Sequence, residues 1–471
     1  MDKIVQGIYD IVWSPALVVL LVGAGLLFTI RTRCVQVRMF PVMFKLLFRK
    51  IFSTNKSNGI TSFEALCISL SGRVGTGNIV GVATAIALGG PGSIFWMWFI
   101  AFMGAATAFV EATLAQKYKI LHNGIYRGGP FCYIEHALKQ KWLAIVFALL
   151  CILGYGVLLA AVQSNSVTAA FNNSFSISPI WTALIVILLL SLVIMGGVKR
   201  IARFATVITP FMALGYIGLS LIIILVNWKS IPDIFMLIFK SAVGIEPFFG
   251  GMLGSAISMG VKRGLFSNEA GQGGGAIVAA CADVEHPAQQ GLVQSFSVYI
   301  DTLLVCTATA LMIICTGQYN VFDESKNIVV ENVSALGANY VAYTQSAIDS
   351  VWQGVGGAFV AIALAFFVFT TLVAYYFYAE SSIFYLFKSD KDHGGKLESA
   401  VIWTYRFVFF GMIILGAILT IDSVWTIGDI GLGLTTWVNI IVLFILCPEA
   451  IVCLKEYETS LKGKTRGKSQ E

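Results

Sequence analysis

Charge is scarce in this chain: Asp, Glu, Lys and Arg make up 12% of its 471 residues, against 57% hydrophobic residues. A soluble domain of that composition has too few polar groups to cover its own surface, which excludes an ordinary water-soluble protein. Histidine is nearly absent. His122, His136, His286 and His393 all stand between apolar runs, which disfavours a histidine-bound metal or a Ser–His pair at membrane depth. The nine cysteines form no CxxC pair, and Cys67, Cys151, Cys306 and Cys315 stand inside apolar runs. They read as small apolar residues, not as a disulfide or metal framework. No GxxxxGK[ST] sequence occurs, which argues against ATP-driven work. The net charge of +6 is dispersed over several loops and makes no nucleic-acid-binding patch. The first apolar run is too long for a cleavable leader and lacks an Ala-x-Ala site, so it is expected to remain.

What the chain does have is long apolar runs. Eleven can be read, near 11–30, 60–89, 92–117, 142–170, 179–198, 203–226, 247–282, 289–316, 355–386, 399–420 and 425–447. A helix needs about 20 such residues to cross a bilayer, so the expectation is an all-α polytopic membrane protein with eleven transmembrane helices. Basic residues then fix its orientation. One side carries Arg31, Arg33, Arg38, Lys45, Arg49, Lys50 and Lys56, then Lys117, Lys119, Arg127, Lys139 and Lys141. The same side has Lys199, Arg200 and Arg203, Lys388, Lys391 and Lys396, and a tail with Lys455, Lys462, Lys464, Arg466 and Lys468. The other side has only Lys3, Lys229, Lys240 and Lys326. This places the N-terminus outside and the C-terminus in the cytoplasm of a cell-membrane protein.

Two glycine-rich stretches interrupt the second and seventh runs: Ser71–Asn78 and Gly264–Gly273. Hydrocarbon cannot hydrogen-bond a bare peptide, so irregular backbone at that depth must line a cavity or be buried in protein. Paired breaks in the two halves are the sequence sign of a transporter's binding site. The breaks lie five spans apart, an odd number, so the second enters from the opposite face. Spans 2–6 and 7–11 therefore form a candidate five-plus-five inverted repeat with two discontinuous helices and an extra N-terminal helix. The expected organisation is one transmembrane domain over 1–471. Within it, 11–58 holds the extra helix and basic segment, 59–226 the first repeat, 227–447 the second repeat with an external loop at 317–354, and 448–471 a tail. Short helices within 332–352 are expected to cap the outer mouth, 231–243 to form an amphipathic surface helix, and 122–136 a glycine-rich cytoplasmic turn.

A broken helix exposes free N–H groups at one cut end and free carbonyls at the other. In span 2 the N–H groups near Gly77, Asn78 and Ile79 suit a carboxylate, and carbonyls at Leu70–Arg73 suit an ammonium or a desolvated cation. Ser267, Asn268, Glu269 and Gln272 add polar side chains in span 7. A small zwitterion matches these paired ends. The competing reading is helix packing through Gly77–Gly81, Gly250–Gly254 and Gly271–Gly275, each a GxxxG pair, but packing gives no reason for Arg73. Arg73 and Glu269 sit in the two breaks, which makes an ion pair between them a candidate. Glu64, Glu111, Glu380 and Asp422 lie near expected span ends, where they can reach water. Lys262, Arg263, Asp301 and Asp429 fall deeper. Thr370 and Thr371 either bond their own helix or offer hard oxygens to sodium, and Gln163 and Asn165 either join helices or touch substrate. Asp283, Glu285 and His286 hold metal-capable atoms, but four residues in a turn are more often solvent-facing.

Three motifs carry a family resemblance. Gly72–Ile79 continues through Gly81–Ile86 to Gly89-Gly90-Pro91-Gly92; Tyr126-Arg127-Gly128-Gly129-Pro130 follows, then Lys262–Gly273. In this order they resemble the alanine/glycine:cation symporters, whose fold is similar to that of the leucine-transporter class. Gly274-Gly275-Ala276 departs from the Ser/Ala-Pro run expected there. The resemblance implies import of alanine or glycine with sodium or, alternatively, protons, with no resident cofactor and no catalysis; a channel is the rival from another class. It also implies that Gly75, Thr76, Gly77, Asn78, Gln163, Phe266, Ser267 and Asn268 hold the substrate. Asn78 is expected to border a sodium ion. Thr370, Thr371 and backbone carbonyls of Arg73 and Gly75 are expected to form a structural sodium site.

Overall fold

The computed structural model describes residues 3–48, 59–122, 124–246, 249–323, 325–387 and 396–468. Arg49, Lys50, Lys56, Lys388 and Lys391, which helped to orient the chain, lie outside them, as does His393. Eight described helices are long and apolar enough to cross a bilayer, and a ninth crossing is bent. The chain begins with α1 (Lys3–Val12) and α2 (Pro15–Arg31), which form the first of these crossings. The bent crossing is α3 (Ser62–Arg73) followed by a π-helical turn at Gly77–Gly81 and α4 (Val82–Gly89), with a 52° bend. Then come α5 (Gly92–Lys117), α6 (Lys141–Leu153) continued by α7 (Leu159–Phe175), α8 (Pro179–Ile194) and α9 (Gly197–Val226). The second half holds α10 (Leu253–Asn268), α11 (Gly274–Ala280), α12 (Pro287–Val298), α13 (Thr307–Thr316), α14 (Gly356–Leu386), α15 (Lys396–Ile418) and α16 (Ile421–Lys468). A count of eleven requires adding the shorter α8 and the interrupted pair α10 and α11.

The chain departs from the sequence expectation at the first run. Ser14 and Pro15 interrupt the helix because proline lacks the N–H that would continue it, and α1 packs against the last helix. There Trp13 Nε1 donates to the Asp429 carbonyl at 2.8 Å, Trp437 Nε1 to the Val12 carbonyl at 2.9 Å, and Lys262 Nζ to the Tyr9 hydroxyl at 2.9 Å. At the other end α16 runs on through Pro448 to Lys468. Within 317–354 a hairpin, Asn320–Phe322 with Ile328–Glu331, precedes the expected short helix, here Tyr340–Asp349.

Helix α5 is buried along most of its length and braces both α10 and α12. Small residues make this approach close. A methyl group on Gly260 would stand 2.5 Å from the Ser93 carbonyl, and one on Gly264 2.4 Å from Ile100 Cγ2. Gly260 and Gly264 are thus the small-xxx-small seam of the second half. Gly250 and Gly254, one of the three pairs in the sequence pattern, meet far less: nothing lies within 4 Å of a methyl on Gly254. Two devices fix the start of α3 and the end of α11. Thr61 and Glu64 form a capping box at the start of α3, with Thr61 N donating to Glu64 Oε2 at 2.7 Å. Ile60 forms a bridge to the end of α11, donating to the Cys281 carbonyl at 3.0 Å and accepting from Asp283 N at 2.8 Å.

Candidate functional site

The first break opens at Val74, whose ψ of 88° leaves the helix. The freed peptide groups are met by side chains: Gly75 N donates to Asn78 Oδ1 at 2.9 Å and Thr76 N to Gln163 Oε1 at 3.2 Å. Gly75 has no room for a side chain, since a methyl there would lie 2.5 Å from Thr371 Oγ1 and 3.1 Å from Gln163 Oε1. The second break uses positive φ angles, +52° at Glu269, +87° at Gly271 and +106° at Gly273, which explains its glycines. Asn268 Oδ1 accepts from Ala270 N at 3.0 Å, and Gln272 Nε2 donates to the Leu265 carbonyl at 2.6 Å. Asn268 thereby braces its own loop and faces Gly104 of α5.

The two breaks meet at Asn78, Ser267 and Asp301. Asn78 Nδ2 lies 2.6 Å from Asp301 Oδ1 and 3.2 Å from Ser267 Oγ. Ser267 Oγ donates to Asp301 Oδ2 at 2.7 Å, as does Thr302 Oγ1 at 2.7 Å. Asp301 is fully buried, and among the described residues no Lys or Arg approaches it within salt-bridge distance. It stands in a π-helical turn, Tyr299–Cys306, that joins α12 to α13; such turns recur at functional sites. From the sequence Asp301 reads only as a deep charge with no assigned role. The signal that marks it is nonetheless present there, because a carboxylate deep in an apolar run is a functional position by default. Phe266 closes one wall: it packs on Gly77, where a methyl would lie 2.9 Å from its Cδ1, and on Trp425 at a centroid distance of 4.9 Å.

Beside this junction is a set of oxygens. Thr371 Oγ1 lies 2.8 Å from the Ser71 carbonyl, 3.4 Å from that of Val74 and 2.8 Å from that of Phe367. Oxygen-only surroundings suit a hard cation such as sodium. The carbonyls that reach Thr371 are those of Ser71 and Val74, in place of Arg73 and Gly75; the Gly75 carbonyl accepts from Asn78 N at 3.2 Å. Thr370 turns elsewhere, with its hydroxyl on the Phe366 and Phe367 carbonyls and near Met212 Sδ.

The Arg73–Glu269 pair does not form as a direct contact. Arg73 Nη1 instead donates to the Gln294 carbonyl at 3.2 Å and to Ser297 Oγ, both on α12. Glu269 Oε2 accepts from the Tyr378 hydroxyl at 3.4 Å, while Glu269 Oε1 and Arg73 Nε and Nη2 are buried without a hydrogen-bond partner. The close approach of α11, with a methyl on Gly275 only 2.7 Å from Arg73 Nη2, holds the guanidinium toward α12. Glu111 is a second departure: it is buried, not at the water edge. Its Oε2 accepts from Gly271 N at 3.1 Å and its Oε1 from Asn439 Nδ2 at 2.7 Å, so it clamps the second break from α5. Asn165 joins helices, donating to the Gly416 and Leu419 carbonyls at 2.9 Å each. Arg263 and Asp429 form a buried ion pair under Trp425, whose ring lies 4.6 Å from the guanidinium carbon.

The profile of the sodium:alanine symporter family matches residues 1–471. The chain is 48% identical over 462 residues to "Putative sodium/proton-dependent alanine carrier protein YrbD" of Bacillus subtilis (strain 168), covering 98% of this chain and 93% of that protein. It is 46% identical to the sodium/proton-dependent alanine carrier protein of Bacillus sp. (strain PS3), over 88% of this chain and 91% of the relative. It is 40% identical to "Probable sodium/glutamine symporter GlnT" of Bacillus subtilis (strain 168), over 98% and 92%. Full-length matches at these identities place it among multi-pass membrane transporters, not enzymes: the chain belongs to the sodium:alanine symporter family.

Proposed function

We propose that this protein imports alanine with sodium by alternating access, using the junction of its two broken helices as the substrate site. Eleven spans, a five-plus-five inverted repeat, an outside N-terminus and a cytoplasmic C-terminus belong to the same reading. The observation that carries it is the contact of Asn78 from the first break with Ser267 from the second over the unpaired Asp301 carboxylate. Gly75, Thr76, Gly77, Asn78 and Gln163 receive the zwitterion, with Phe266 and Ser267 opposite. Asn268 acts one step back, by shaping the second loop. Phe266 against Gly77 favours a small side chain, alanine or glycine, over glutamine. Sodium sits among the Ser71, Val74 and Phe367 carbonyls and Thr371, and completing that set in one state and not the other is what couples the fluxes.

A proton-coupled variant is the second reading. It is favoured by Asp301 and Glu269, buried carboxylates that no Lys or Arg approaches within salt-bridge distance among the described residues. Uptake of labelled alanine into proteoliposomes, under a sodium gradient and a pH gradient imposed separately, decides between them. Accumulation under neither gradient rejects symport altogether, and unlabelled glycine and glutamine as competitors rank the substrates. Preloaded vesicles should accelerate labelled entry through a carrier and not through a channel.

A further inference from the structure

Away from the breaks, a cavity of about 270 Å³ opens between the inner end of α3 and the first turns of α9. Its charged lining is Glu64, Lys199 and Arg203, with Ile60 beside Glu64 and Thr206 and Val207 on the α9 side. We propose that this cavity binds the headgroup of a glycerophospholipid carrying a primary ammonium, with the phosphate between Lys199 and Arg203 and the ammonium on Glu64.

Charge complementarity is the first argument. Among the described residues neither Lys199 nor Arg203 has an acidic partner, and both side chains are exposed. Two cations fit a phosphodiester, while a lone carboxylate in the same cavity disfavours a headgroup with net negative charge and favours one that brings its own cation. Among the described residues Glu64 is engaged only through Oε2, in the helix cap, which leaves Oε1 to the cavity. The second argument is continuity with the bilayer. Below the cavity, α9 exposes Val207 (65%), Phe211 (69%) and Leu214 (70%), which share one face of the helix and mark a track for an acyl chain. Free phosphate would make no use of such a track. Cations at the end of an apolar helix also lie at headgroup depth.

The position gives the lipid a consequence. Ile60, which helps line the cavity, is the residue that stitches the start of α3 to the end of α11. A headgroup held against Glu64 and Ile60 therefore steadies the ends of α3 and α11 against each other and restrains the helix movement that transport needs. This effect on transport rests on the symport reading, whereas binding does not.

Native mass spectrometry of the full-length protein, titrated with phosphatidylethanolamine, phosphatidylglycerol and phosphatidylcholine, tests the site. The wild type should retain phosphatidylethanolamine about tenfold more tightly than the other two, the value of one charge-assisted hydrogen bond. Lys199→Gln/Arg203→Gln should lose that retention with unchanged thermal stability. Glu64→Gln preserves the cap, because glutamine serves at that position, and should lose only the preference over phosphatidylglycerol. Equal retention of all three lipids by the wild type, or undiminished retention by the double variant, overturns the proposal. So does displacement of the lipid by millimolar inorganic phosphate, which would make the cavity a simple anion site. Because binding is read without transport, its failure is distinguishable from a failure of the symport reading.

Discussion

Asn78 and Asp301 approach to 2.6 Å across two helices that are remote in sequence, which makes the amide of the first break a ligand of a buried carboxylate. Asp301→Asn keeps the shape and removes the charge. Sodium-driven alanine uptake should fall by about tenfold to a hundredfold, as expected for losing a charged hydrogen-bonding group in a buried site. Asn78→Ala should abolish uptake in a folded protein. Wild-type uptake by Asp301→Asn in proteoliposomes would remove the carboxylate from the substrate junction.

The two adjacent threonines of α14 should separate cleanly. Thr371 meets the carbonyls of the broken helix, whereas Thr370 bonds only its own helix and Met212. Thr371→Val should raise the sodium concentration for half-maximal uptake by about tenfold, the upper range for one lost hydrogen-bonding group. Thr370→Val should leave it nearly unchanged. Equal shifts in both variants would place the ion elsewhere.

The breaks are legible in the sequence, because glycine beside charge at membrane depth points to a cavity and to little else. Their partners are not. Whether Asp301 faces Asn78 or lipid depends on the rotation of α12 and its π-helical turn, and no local pattern encodes that rotation. Arg73 and Glu269 do stand in neighbouring breaks, as their positions suggest, yet a pair also needs side-chain reach. The approach of α11 at Gly275 turns Arg73 toward Gln294 and Ser297. Glu111 misleads for a related reason: its position along α5 suggests the water edge, but contacts from Gly271 and Asn439 enclose it. The carbonyls that reach Thr371 lie one or two residues from Arg73 and Gly75, since a carbonyl's direction follows the dihedral at Val74.

Glycine substitution distinguishes site from seam. Gly75→Ala forces a methyl to 2.5 Å from Thr371 Oγ1, so both the oxygen set and the Gln163 contact must shift. Uptake should be lost while expression and melting remain near wild type. Gly254→Ala, which meets nothing within 4 Å, should behave as wild type in both measurements. Normal sodium-driven uptake by Gly75→Ala would show that the first break tolerates rearrangement and is not the binding turn.

Arg263 and Asp429 hold α10 to α16 by a buried ion pair, and removing one partner strands the other. Arg263→Met and Asp429→Leu should each destabilise the protein by about 3–5 kcal/mol, while the double variant should recover much of that loss. Thermal melting of the purified protein gives the comparison. Additive losses in the double variant would mean that the two charges are stabilised independently.

His286 supplies a pH-dependent contact outside the membrane spans. Its Nδ1 accepts from Ala288 N at 3.2 Å and caps α12, which requires the neutral ring. Burial lowers its pKa below the ordinary imidazole value, outweighing the opposing pull of Glu456. The folded state therefore favours the neutral form. This stabilisation is fully present above the unfolded value of about 6.5 and is lost as the pH falls through the lower folded value. Asparagine at position 286 can also cap a helix but does not titrate. Stability of the wild type should consequently drop relative to His286→Asn as the solution is acidified below about pH 6.5. The ring should titrate below that value by NMR; a midpoint above it, or parallel acid limbs for the two proteins, would remove His286 as the cap of the helix that leads to Asp301.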